Sequence, residues 1–139
     1  MDATVTLSQA TLQTAGVLLV AIVTIEFGGA YLLRVVQGEV PLTGFQQSFA
    51  RAGHAHAGVL VSLGLICQVF VNASELDGAW RTVATVGVPA AAILMPAGFF
   101  FSSMGKQRTT PNGFSALIWL GALSLAAGTL TLGIGLLAA

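Results

Sequence analysis

Charge is scarce in this chain. Five Lys and Arg and five Asp and Glu are spread over 139 residues, and they cancel. A soluble domain of this size carries about a quarter charged residues, so the composition excludes an ordinary soluble protein. No basic cluster exists, which excludes nucleic acid as a partner. Cysteine is reduced to Cys67, which excludes an intrachain disulfide framework and any multi-cysteine zinc or iron–sulfur site. Its ordinary reading is a small hydrophobe buried inside a helix. A basic n-region is missing ahead of the first apolar run, and that run contains Glu26. The run is therefore read as a retained transmembrane helix rather than a signal peptide.

Apolar residues dominate, at 55% of the chain. A membrane-spanning helix needs about 20 mostly apolar residues, and four segments qualify. They are placed at residues 11–36, 45–71, 80–104 and 111–137. Short connections with turn chemistry separate them: Gly38-Glu39-Val40-Pro41, Ser74 to Gly78, and Gly105 to Gly113. Thr110 before Pro111 reads as an N-cap followed by proline at the first helical position. The expected fold is all-α, a single polytopic membrane four-helix bundle in up-down order.

Each span carries its own signal. Glu26 lies deep in the first span, where an ionisable group is costly unless neutralised, paired or hydrated. It is a proton-relay candidate, or else a protonated carboxyl hydrogen-bonded to a neighbouring helix. Gly28-Gly29-Ala30 permits close backbone approach at the same level. In the third span, Pro89 and Pro96 sit seven residues apart on one face, and each should bend the helix. Met95 and Met104 could ligate copper or iron, although packing is the commoner role of methionine. Phe99-Phe100-Phe101 lines a cofactor cavity or faces lipid. In the fourth span Gly121, Ser124, Gly128, Thr131 and Gly135 form one stripe of small residues, a close-packing surface. Trp119 packs within the bundle or lies toward an interface.

Both histidines stand in Arg51-Ala52-Gly53-His54-Ala55-His56-Ala57-Gly58, among small residues that leave the imidazoles open to a ligand. Helical residues i and i+2 point about 200° apart. His54 and His56 thus face opposite sides of one helix, cannot chelate one metal together, and must serve different partners. His54 shares its face with Gln47, Arg51, Gly58 and Val61. Arg51 suits an anionic group such as a haem propionate, and Gly58 leaves a hollow for a flat macrocycle. His56 shares its face with Ala52, Leu60, Leu63 and Cys67, an apolar wall. Haem b is the expected cofactor, with copper or no cofactor as the alternatives.

The stretch from Gly53 to Leu60, running on to Gly64, resembles the tenth transmembrane helix of subunit I of the haem–copper oxidases, especially the cbb3-type and nitric-oxide-reductase branches. In that family a His-x-His pair on this helix ligates two different haems, one on each face. The family's subunit I has twelve helices in three four-helix arcs, with histidines on the second helix of each arc. This chain looks like one such arc. The resemblance implies haem-propionate partners in the loop after the third helix, where Lys106 and Arg108 stand here. It covers about a dozen residues. A second histidine helix, three copper ligands and a cross-linked His–Tyr pair are missing, so oxygen reduction of the family type does not follow.

The leading expectation is a b-type haem membrane protein for electron transfer, exchanging electrons with quinol or a redox partner. Bis-histidine ligation leaves no open position, which argues against catalysis at the iron. Two other classes stand beside it: a proton or small-solute conduit using Glu26 and the histidines, and a ligand-free accessory or assembly subunit. Because His54 and His56 cannot close on one iron, His54 of one chain should meet His56 of another. A cyclic, head-to-tail homotrimer uses each face once, holds three haems, and reproduces the twelve-helix plan that the resemblance implies. The expected location is a bacterial plasma (inner) membrane. The positive-inside rule places both termini outside, while the resemblance implies termini inside.

Overall fold

The computed structural model describes residues 7–139. Four helices follow one another in chain order: α1 (Gln9–Val36), α2 (Gly44–Ala73), α3 (Gly78–Ser103) and α4 (Ala116–Leu137). All four spans are long and apolar enough to cross a membrane, and the fold is the expected all-α bundle. Each lies within about two residues of its expected bounds except the start of α4.

That start is a correction. A single 3₁₀ turn, Gly113–Ser115, precedes α4, and its N-cap is Asn112 rather than Thr110. The Asn112 side chain accepts the Phe114 N–H at 2.9 Å and donates to the Phe101 carbonyl at 2.9 Å. Its backbone N–H reaches the Ser102 carbonyl at 3.0 Å. One residue thus caps the new turn and satisfies orphan carbonyls at the end of α3, which a Thr–Pro start could not do.

The other ends close in the same way. Thr43 and Gln46 form a reciprocal capping box at the start of α2. Gln46 then donates to the Ser103 and Gly105 carbonyls at 3.0 and 2.8 Å, binding the long loop to α2. At the opposite membrane face, Asn72 donates to Thr11 Oγ1 at 2.8 Å, and Arg81 donates to Asn72 Oδ1 and the Val71 carbonyl at 3.3 Å each. A cation over the last carbonyls of α2 also complements that helix's dipole.

The core is centred on α3. Its seam with α4 is backbone against backbone: a Cβ built on Gly87 would stand 2.6 Å from the Gly128 Cα. Ser124 Oγ donates across the seam to the Gly87 carbonyl at 2.8 Å. Gly121 receives Met95, and Gly135 receives Leu76. The small stripe of α4 is therefore spent inside the bundle. Against α2, α3 offers Ala84, Val88, Ala91 and Ala92 to Leu60, Val61, Cys67 and Val71.

Proline does not interrupt α3. Pro89 has no N–H for the Thr85 carbonyl, and the Gln68 amide of α2 supplies one instead, at 2.8 Å. Gln68 is almost wholly buried, and its Oε1 has no partner among the described residues.

Helix α1 is the least embedded. Only Thr11, Leu18 and Val35 are buried, and Leu18 presses against Gly64 of α2. The outer face of α1, from Leu19 to Leu33, is left uncovered.

Candidate functional site

The two imidazoles lie about one-third of the way along α2, and the structure sends them to different neighbours. His56 turns toward α3. Its Nδ1 lies 2.7 Å from the Ala52 carbonyl one turn earlier. A carbonyl can only accept, so Nδ1 carries the proton and donates it. The lone pair is left on Nε2, the arrangement that orients metal-binding histidines. The ring packs on Phe99 with centroids 4.9 Å apart, and Phe99 meets Phe49 edge-on at 5.4 Å. Tautomer and orientation are thus both fixed.

His54 turns toward α1. Its Nδ1 is 3.2 Å from where a Gly28 Cβ would stand, and its Nε2 is 3.6 Å from the same point on Gly29. The Gly28-Gly29 pair is the bed of this ring, and any side chain at Gly28 would crowd it. His54 makes no hydrogen bond among the described residues. It lies on the floor of a groove walled by α1 and α3, in a cavity of about 250 Å³ with Thr24, Ala57, Val61 and Pro96. A second cavity of about 440 Å³ shares Gly28 and Phe100 with it and rises past Tyr31 and Gln46 to Gly105. The groove therefore runs from the middle of the span up to the loops.

On its outward side α2 shows Arg51, Ala55, Val59 and Ser62. A Cβ on Gly58 would meet nothing within 4 Å, so the hollow expected there is open. Arg51 and Lys106 are exposed and unpaired among the described residues, and Lys106 stands over a loop cavity of about 740 Å³. Arg108 is partly committed, donating to the Met104 carbonyl at 2.8 Å and approaching the Thr110 carbonyl at 3.5 Å.

The remaining candidates separate cleanly. Met95 is buried against Gly121, and Met104, exposed at the end of α3, lines the cavity of about 440 Å³ together with Gly28. Cys67 is buried in the core. Phe99 supports His56, Phe100 walls the groove, and Phe101 packs edge-on to Phe114. Trp119 faces outward. Glu26 is exposed on α1 and makes no hydrogen bond or ion pair among the described residues, so the chain alone does not bring it to either imidazole. No three His, Cys, Asp or Glu side chains cluster among the described residues.

Sequence reasoning missed Tyr31 at the groove mouth and the part played by Gln46. The capping box Thr43-x-x-Gln46 was the available signal for the second.

Comparison with known protein families, with curated proteins and with solved structures returned no match for this chain.

Proposed function

We propose that this protein binds haem b in a bacterial plasma membrane and carries electrons, the iron held between His54 of one protomer and His56 of the next in a homotrimer. One observation carries the reading. His54 and His56 turn to different neighbours, α1 and α3, so one chain does not close both on one iron, and His56 is held by Ala52 with Nε2 left without a partner among the described residues. His54, unpartnered among the described residues, supplies the complementary ligand from the α1 side.

The surroundings fit a macrocycle on chemical grounds. Gly58 leaves open surface on the histidine helix, and Gly28 and Gly29 keep side chains off the His54 ring. Arg51, Lys106 and Arg108 lie toward the loop end, where propionates would need cations. The haem would supply one-electron redox chemistry, its potential tuned by burial and by those cations.

Purification from haem-replete cells tests the reading. The expected product is red, gives sharp α and β bands on reduction, and shows one haem per chain in a trimer by native mass spectrometry. Colourless protein would overturn the haem assignment. A monomer retaining one six-coordinate haem would overturn the shared ligation.

A further inference from the structure

Glu26 and Arg51, one charge of each sign, make no ion pair or side-chain hydrogen bond among the described residues. Glu26 is the only charged residue between Gln9 and Arg34, and it lies eight residues, about 12 Å, inside Arg34 along the helix. It is exposed on α1, a turn below the Gly29 on which His54 rests. An unpaired carboxyl facing lipid at such depth is disfavoured, and groups of this kind turn to a partner or an internal cavity. Among the described residues the one ion pair is Arg34 with Glu39 at 2.9 Å, out at the loop. Arg81 and Arg108 hold backbone carbonyls, and Lys106 lies beyond the end of α3. That leaves Arg51.

The heights agree. His54 is level with Gly28 and Gly29. Arg51 is three residues toward the loop end, about 4.5 Å, and Glu26 two to three residues the other way, about 4 Å. The two backbones are therefore about 8 Å apart in depth, within the combined reach of a long arginine and a glutamate.

We propose that Glu26 of one copy pairs with Arg51 of a neighbouring copy lying parallel in the same membrane. Each chain offers both halves of the pair and satisfies neither. Parallel copies preserve the depth match, and a cyclic arrangement uses each half once. The pair rests on the same assembly as the haem reading but requires no haem. The guanidinium has five donors, so Arg51 holds the carboxylate and still serves a propionate.

The test is a charge swap on the full chain in liposomes, with association followed by energy transfer between labelled copies, in haem-free and haem-replete preparations. Glu26→Arg and Arg51→Glu should each raise the dissociation constant roughly tenfold or more, and the double swap should bring it back to within about threefold of the parent. A double swap no better than the worse single variant overturns the pair, as does a parent chain that stays monomeric. Should the reversals fail to fold, Glu26→Gln and Arg51→Gln replace them: together they should cost no more association than either alone, and additive losses overturn the proposal. Rescue in protein that stays colourless in the haem-replete preparation would support the pair while sinking the haem reading. A red trimer indifferent to both charges would do the reverse.

Discussion

Gly87→Ala should loosen the whole bundle, because it adds one methyl group where two backbones already touch. The new Cβ would stand 2.6 Å from the Gly128 Cα and 2.9 Å from both the Gly128 nitrogen and the Ser124 carbonyl oxygen. All three are backbone atoms, so no side chain can swing aside and α3 and α4 must separate. Overpacking of this kind costs about 1–3 kcal/mol. Separation also strains the 2.8 Å bond from Ser124 Oγ to the Gly87 carbonyl, worth about 0.6 kcal/mol between membrane helices. Against this, alanine favours a helix interior over glycine by about 0.5–1 kcal/mol. A net destabilisation of roughly 1–3 kcal/mol remains. Gly133→Ala is the matched control, since a Cβ there meets nothing within 4 Å; it should be neutral or slightly stabilising. Reversible unfolding in mixed detergent, with both variants measured beside the parent, gives the comparison. Agreement between the two variants within about 0.5 kcal/mol would show that the seam is not the close contact described.

Gln68→Leu should destabilise by about 1–3 kcal/mol because the Thr85 carbonyl loses its only replacement donor, and adding Pro89→Ala should recover part of that loss by restoring a helical N–H; a double variant no more stable than Gln68→Leu would sever the link. His54→Ala and His56→Ala should each abolish the low-spin haem spectrum, and a full bis-histidine spectrum in either would disprove paired ligation. Arg51→Ala, or Lys106 and Arg108 changed together, should weaken haem retention or lower its potential without removing the ligands, since an uncompensated propionate favours the oxidised iron; redox titration showing an upward shift would contradict the assignment. Glu26→Gln should leave the haem bands in place, and their loss would make Glu26 a ligand or a structural support rather than a partner of Arg51.

Much of the fold was legible because four apolar runs in a chain with little charge admit few arrangements. The small stripe of α4 was legible for a similar reason: spacing alone put Gly121, Ser124 and Gly128 on one face. What spacing could not give was the partner, which proved to be α3 of the same chain. That Pro89 and Pro96 would each remove a backbone donor from α3 was legible from residue type, and the helix runs on through both. Gln68, twenty-one residues earlier, repairs the first proline from outside, and no local pattern announces that. The start of α4 was misplaced because Thr110-Pro111 matches a helix-start pattern, while Asn112 gains two further bonds to the end of α3 that exist only after folding. At the site, the 200° separation of the histidines followed from helix geometry. That His56 would be locked by a carbonyl and His54 left free did not.

Glycine shows why residue type alone could not divide structure from site. Gly87, Gly98, Gly121 and Gly128 each have backbone atoms of a neighbouring helix within about 3 Å of a built Cβ, so they close seams. Gly58 has nothing within 4 Å, and Gly28 and Gly29 have only the imidazole of His54. The first group is used up by seams between backbones and Gly28 and Gly29 by the ring of His54, while Gly58 is left bare beside the two histidines. Packing this polytopic bundle needs no such bareness: a larger apolar residue at Gly58 would cover more lipid-facing backbone at no steric expense. Gly28 and Gly29 are accounted for by the His54 imidazole that rests on them, so the bareness that packing does not explain is at Gly58, on the helix that carries both imidazoles. That is the physical content of the haem proposal. It is also why the occupant, and not the bundle, has to be sought by experiment.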